Sequence, residues 1–183
     1  LKIGNILVGN EPKDAAFEIT AMGPTLSVIE GEGLIAVTGA EINFTINKVE
    51  APLWQSIRVQ VGDTITLSTL KGHGCRAYLC VSGSIDVPVI MGSKSTYLRA
   101  KIGGLEGRAL KAGDRIATGP LKPLTWLSAG FTCPDHLRPK RELGSSLRVV
   151  LGPQVEAFTE NGLKTFLESE YTITNEADRM GYR

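Results

Sequence analysis

The stretch "GSKSTYLRAKIGGLEGRALKAGD", Gly92 to Asp114, gathers hydroxyls, guanidiniums and glycines in a mixture that neither a core strand nor a surface helix uses. Ser93, Ser95 and Thr96 come first, then Arg99, then the pair Gly103-Gly104, then Arg108. Consecutive glycines leave backbone N–H groups accessible, and such groups can ring an anion. An arginine adds a planar fork that meets carboxylate or phosphate through two hydrogen bonds. Carboxylate, carbamate and phosphate all suit a cradle of that kind. The spacing matches neither the Gly-x-x-x-x-Gly-Lys-Ser/Thr phosphate loop nor the Gly-x-Gly-x-x-Gly dinucleotide turn. The residues alone leave two readings open: an anion site, or a glycine-rich loop with solvated charges.

Other reactive side chains form weaker patterns. His73 sits between glycines in "KGHGCR" and reads as an exposed turn, and His136 lies beside prolines and charges in "CPDHLRPKRE". Two histidines so far apart give no metal signature. Cys133 stands three residues from His136, but sequence adjacency does not build a nucleophile–base dyad. "RPKRE", Arg138 to Glu142, reads as a solvated linker. Asp178-Arg179, in "NEADRMGYR", is a charged pair beside a Met-Gly turn and could equally be a surface ion pair of small energetic weight.

The elements that must position these residues read as strands. "AFEITAMGPTLSVIEG" gives two short extended runs split by the turn dipeptide Gly23-Pro24. "LIAVTGA", "INFTIN" and "QSIRVQVGDTITLST" are rich in β-branched residues and partly alternate apolar with polar. "RAYLCVSGSIDVPVI" contains a nearly continuous apolar strand, as expected for burial on both faces, and "SSLRVVLGP" reads as a further strand. Helix signals are confined to "LKIGNILVG" and "PQVEAFTENGLKTFLES", the latter placing a helix near Asn161 to Ser169 with Leu163, Phe166 and Leu167 on its apolar side. "VQVGDTITLS" and "LKAGDRIATG" echo one another, with Gly62-Asp63 and Gly113-Asp114 each making a tight turn into a following strand. Many short strands with glycine-rich turns predict a mainly β chain, a barrel or a sandwich, with a few short helices.

Composition bounds the partners. The chain has 183 residues, 42% of them hydrophobic, enough to bury a real core. Twenty Lys and Arg against 19 Asp and Glu leave a formal charge of +1, which gives no reason to expect nucleic acid as a partner. Apolar runs such as "LSVI" are too short to span a bilayer, so no membrane partner is expected. Three cysteines at unhelpful spacings support neither a disulfide framework nor a metal site, and a reducing cytoplasm suits them. "LKIGNILVG" begins mid-pattern and "DRMGYR" closes no element, so the sequence reads as a segment of a longer chain.

The pieces "AFEITAMGPTL", "IAVTGAE", "RAYLCVSGSIDVPVIMGSKSTYLRAKIGGLEGRALKAGD", "LRVVLGPQ" with Phe158-Thr159, and "ADRMGYR" recur in this order in a known family. The chain resembles the second-subunit family of allophanate-hydrolase-like proteins, also called biotin-dependent carboxyltransferase family proteins. The resemblance covers nearly the whole sequence. It implies a fold of cyclophilin-like β-barrels, residues 1–135 supplying the first barrel region and 136–183 a linker and the start of a second, within one carboxyltransferase-type domain incomplete at both ends.

The resemblance implies two chemistries and one binding role. Family members serve in an ATP-dependent 5-oxoprolinase, which opens the lactam of 5-oxoproline to glutamate together with a smaller related β-barrel subunit and a third protein. Fused members form the carboxyltransferase part of urea carboxylase, which moves a carboxyl group from carboxybiotin to urea. A third label makes the protein an antagonist that binds a sporulation kinase inhibitor. The first reading is favoured, with ATP bound either by this chain or elsewhere in the complex, and biotin required only under the second. Both chemistries polarise a small planar amide and need oriented donors where negative charge develops on oxygen. Under the resemblance, Arg99, Arg108 and Asp178 are candidate catalytic residues. Ser95, Thr96, Gly103, Gly104, Arg179 and Gly39 of "VTGAE" are candidate substrate contacts.

Overall fold

The computed structural model describes residues 1–72, 74–139, 144 and 146–174; His73, Lys140 to Glu142, Asp178 and Arg179 lie outside the described residues. The chain divides into two compact units, Leu1–Arg141 and Glu142–Arg183.

The first unit is mainly antiparallel β. After helix α1 (Lys2–Leu7) come strands β1 (Phe17–Ile19), β2 (Thr25–Ser27), β3 (Glu32–Gly39), β4 (Glu41–Ile46), β5 (Val49–Glu50), β6 (Ser56–Gln60), β7 (Thr64–Lys71) and β8 (Ala77–Val81). They form two four-stranded sheets, ordered β1-β8-β3-β6 and β2-β7-β4-β5. Side chains alternate across a strand, so Ile35 and Val37 of β3 and Leu79 of β8 point from the first sheet toward Ile42 and Phe44 of β4 and Ile65 and Leu67 of β7. All are buried in one cluster. The alternate residues of β3 and β8, Leu34, Ala36 and Cys80, face the other way and pack with Leu7, Val8 and Cys133. The central strand β3 is therefore buried on both faces, which is why "LIAV" carries no polar residue. The same burial pushes the Cys80 thiol up to about 12, leaving it protonated and inert at neutral pH.

The chain changes sheets at Gly39. Its φ is +105°, and a Cβ there would stand 2.7 Å from the Arg76 carbonyl oxygen and 3.0 Å from the Ala77 Cα. Ala40 N–H donates to the same Arg76 carbonyl at 2.7 Å, fixing the corner from β3 into β4. The glycine at this position lets backbone approach backbone.

A buried amide pair joins α1 to β8. Asn5 donates to the Asp14 carbonyl at 2.7 Å, and Asn10 donates to Asn5 Oδ1 at 3.1 Å and to the Val81 carbonyl at 2.8 Å. Asn10 Oδ1 then accepts from Gly83 N–H at 2.9 Å, in the turn that ends β8. This stop shortens the long apolar strand expected from "RAYLCVSGSIDVPVI" to Ala77–Val81, because the chain turns after Ser82, where Ser84 N–H donates to the Val81 carbonyl at 3.1 Å. The Gly23-Pro24 split between β1 and β2 and the Gly62-Asp63 turn between β6 and β7 are as expected.

In the second unit, α2 spans Glu160–Glu168, and the Thr159 side chain caps it by accepting from Gly162 N–H at 3.0 Å. The Phe166 ring leans on Tyr171 with centroids 5.7 Å apart. Residues 146–152 form no strand. An extended run gains from β geometry only where a neighbour takes its N–H and C=O groups, however apolar it is.

Among the described residues, no helix is long and apolar enough to cross a membrane.

Candidate functional site

The Gly92–Asp114 stretch belongs to a long excursion of the first unit whose base is pinned to the end of β8. Asp86 N–H donates to the Ala117 carbonyl at 2.9 Å and Gly119 N–H to the Ser84 carbonyl at 3.1 Å, flanking a bridge between Ile85 and Thr118. Lys94 Nζ reaches back to the Ile85 carbonyl at 3.3 Å. The loop thus starts from a fixed platform that the Asn5–Asn10 pair helps to hold.

Within the loop, Tyr97 N–H and Ile102 N–H exchange hydrogen bonds with each other's carbonyls at 2.8 and 3.2 Å. Arg99 sits in the turn between them and is exposed. The returning arm lays Gly103 and Gly104 against Ser95 and Thr96. A Cβ on Gly103 would overlap the Ser95 carbonyl oxygen, and one on Gly104 would overlap Thr96 Oγ1. Both glycines have left-handed φ, +72° and +54°. Absence of side chains is what allows this approach. The Gly103 and Gly104 N–H groups take no acceptor among the described residues; the Thr96 hydroxyl stands beside Gly104 and the Ser95 carbonyl oxygen beside Gly103. Two backbone N–H groups and one hydroxyl thus lie close together, donors of the kind that can meet an anionic group.

Arg108 works differently from the free anion fork that its type suggested. Its Nη1 and Nη2 donate to Asp114 Oδ2 and Oδ1 at 2.8 and 2.9 Å, and its Nε donates to Glu106 Oε2 at 2.9 Å. The guanidinium clamps the start of the "GRALKAGD" segment to its end. Asp114 also accepts from Lys111 N–H at 2.7 Å, the same carboxylate-to-backbone turn that Asp63 makes with Gln60 N–H at 2.8 Å. The two Gly-Asp echoes are one turn used twice. Asp63 is held below the usual carboxylate range by the Asn47 side chain and then by the Gln60 amide.

The Arg108 fork first, and the Lys111 amide second, bring the Asp114 pKa down from 3.8 to about 2. Arg108 is shifted upward, chiefly by its hydrogen bonds to Asp114 and next by the one to Glu106. A carboxyl whose folded pKa is depressed stabilises the fold above its ordinary pKa, and that contribution fades as pH falls toward the folded value. Asp114→Asn is therefore expected to lower Tm at pH 6, and the difference should shrink steadily as pH falls from about 4 toward about 2. Thermal unfolding of both proteins across that range checks it, and a Tm difference of the same size at pH 6 and near pH 2 would refute the clamp.

The structure brings together Ser95, Thr96, Gly103 and Gly104. It places Arg108 in a clamp on Glu106 and Asp114, Arg99 at the hairpin turn, and Gly39 at the β3–β4 corner. Asp178 and Arg179 fall outside the described residues. Glu106 and Asp114 were missed as partners of Arg108, although the Gly-Asp echo marked Asp114 as a turn carboxylate.

Two antiparallel sheets with few short helices and a long glycine-rich excursion make this a mainly β module. The chain belongs to the carboxyltransferase domain family, subdomains A and B, which it matches over residues 1–183. It is 37% identical over 186 residues to a 5-oxoprolinase subunit of Escherichia coli (strain K12), covering 100% of this chain and 56% of that one. It is 40% identical over 191 residues to the urea amidolyase of Saccharomyces cerevisiae, covering 100% of this chain and 10% of that one. The crystal structure of the Kluyveromyces lactis urea carboxylase superposes with a TM-score of 0.83 at 31% identity, over 100% of this chain and 17% of the other. The chain thus spans about half the length of the 5-oxoprolinase relative and a small part of the two urea enzymes.

Proposed function

We propose that this chain works as part of an ATP-dependent 5-oxoprolinase, opening 5-oxoproline to glutamate with a smaller related β-barrel subunit and a third subunit. The observation that carries the proposal is the close apposition of Ser95-Thr96 with Gly103-Gly104, joined to the likeness to a 5-oxoprolinase subunit. Opening a lactam breaks its C–N bond, and resonance resists this until the carbonyl oxygen draws electron density away. Backbone N–H groups and hydroxyls aimed at that oxygen stabilise the charge without reorganising, because the loop already holds them in place. Arg108 contributes as a positioning residue through Asp114 and Glu106, and Arg99 as an exposed cation at the hairpin turn. Asp178 and Arg179 remain candidates to orient the substrate.

The loop fits a single anionic group better than a nucleotide. Neither of two cavities in the first unit, of about 410 and 390 Å³, is lined by residues 92–108, so ATP is assigned to the assembled complex. The likeness to the Kluyveromyces lactis urea carboxylase favours a second reading, carboxyl transfer to urea by a biotin-dependent enzyme. The biotinylation sequence Met-Lys-Met does not occur among the 183 residues, so the carrier would be supplied from elsewhere.

The test is ATP hydrolysis by the complex reconstituted with both partner subunits, run with 5-oxoproline and separately with urea, bicarbonate and biotin. Phosphate release that requires 5-oxoproline and this chain supports the first reading; release that requires urea supports the second. Arg99→Ala is expected to lower kcat about tenfold or more, in the range of a lost electrostatic contact to a reacting group. Arg108→Lys should not rescue Arg108→Ala, because an ammonium cannot reproduce the two-oxygen fork on Asp114. Tight partner binding with hydrolysis stimulated by neither substrate would favour a purely regulatory role against a kinase inhibitor.

A further inference from the structure

We propose that the cleft along the outer face of β4 binds a small α-amino acid in its zwitterionic form. The cleft holds about 390 Å³, within the range of small-molecule sites. Glu41 opens β4 and stands in register with Lys71, which ends β7, so both side chains leave the same face of the sheet. Opposite charges in that relation commonly pair, yet among the described residues these two form no ion pair. Glu50 ends β5 opposite Thr45. The period of two puts Glu41, Asn43 and Thr45 on one face, which sets Glu50 about 13 Å along the strand from Glu41. Asn43 lies between the carboxylates and offers both donors and an acceptor.

The other wall is built from Trp54 and Arg138. Trp54 has φ +62°, a strained value for a bulky residue. It is held there by its N–H on the Val37 carbonyl and by Cys133 N–H on its own carbonyl, both at 2.8 Å. Such strain gathers where a ligand must be met. Arg138 donates from Nε and Nη2 to the Cys133 carbonyl at 3.1 and 2.8 Å, and its Nη1 lies 3.1 Å from Asp135. Three of its five N–H groups are thus used, leaving a fixed guanidinium with two donors still to give.

Two cations, two carboxylates, an amide and an aromatic wall line one cleft. A simple anion would meet Lys71 and Arg138 but also Glu41, and a simple cation the reverse. A molecule carrying carboxylate and ammonium on adjacent positions satisfies both sets at once, with its side chain against Trp54. The inference is independent of the lactam chemistry assigned to the Gly92–Asp114 loop, because binding here needs neither ATP nor a partner subunit.

The test is a titration of the 183-residue chain with L-alanine, followed by NMR at the Asn43 side-chain amide and the Trp54 indole N–H. Propionate and ethylamine serve as single-charge controls. L-Alanine should give saturable shifts at both groups, and each control should bind at least about fivefold more weakly, the weight of one partly exposed charge contact. Glu41→Gln and Lys71→Met should each weaken L-alanine by a similar factor with Tm unchanged, since both side chains are exposed. Absence of saturable shifts, equal binding of propionate and L-alanine, or wild-type affinity in both variants would overturn the proposal. Any of these would leave the hydrolysis assay of the reconstituted complex unaffected.

Discussion

Replacing Gly103 with alanine lowers substrate-dependent ATP hydrolysis of the reconstituted complex about 100-fold, the scale expected when a reacting contact is displaced by about 1 Å. The added methyl group overlaps the Ser95 carbonyl oxygen, and alanine disfavours the φ of +72° that this residue holds. The returning arm must swing outward, separating the Gly103 and Gly104 N–H groups from Ser95 and the Thr96 hydroxyl. The sandwich core lies elsewhere, so unfolding by urea should show a nearly unchanged midpoint. A variant with full turnover would remove these glycines from the site. A variant that fails to fold would show the loop to be a structural part of the first unit.

Phe44→Ala should destabilise the first unit by about 4 kcal/mol, because Phe44 is 2% exposed and central to the cluster between the sheets. It meets residues of both sheets, so the cavity left behind cannot close by shifting one strand alone. The corresponding fall in Tm is about 15 °C for a unit of this size. Urea unfolding measures it, with the slope unchanged if only the native state is affected. A loss below about 1 kcal/mol would mean that the sheets pack through other residues.

Much of the sandwich is legible in the sequence because its turns are chemically marked. Gly23-Pro24 separates β1 from β2, and Gly62-Asp63 joins β6 to β7, each through residues whose backbone preferences end a strand. A strand at "LIAVTGA" and a helix near Asn161 to Ser169 were legible, but the burial of β3 on both faces and the Thr159 cap of α2 were not. The end of β8 is not marked in the same way. Apolar character continues through "SIDVPVI", and only Asn10, far away in sequence, takes up the Gly83 amide that turns the chain. Apolarity equally suggested a strand in "SSLRVVLGP", where pairing rather than hydropathy decides. At the loop, composition pointed to Ser95, Thr96, Gly103 and Gly104, which the structure lays against one another. The state of Arg108 was hidden, because whether a guanidinium meets a ligand or a neighbour depends on how the loop closes on Asp114. Gly39 was expected to let a ligand approach the backbone, and the group that approaches it is the Arg76–Ala77 backbone.

The bridge between Ile85 and Thr118 has an evolutionary consequence. It ties both ends of the excursion to one spot on the rim of the sheet, so the intervening residues can lengthen, shorten or change character while the sandwich keeps its register. The motif "GSKSTYLRAKIGGLEGRALKAGD" is then carried on a cassette whose splice points are already set by hydrogen bonds. Swapping residues 86–117 between relatives respects that boundary, whereas a cut inside β8 or at the Gly39 corner would sever the core.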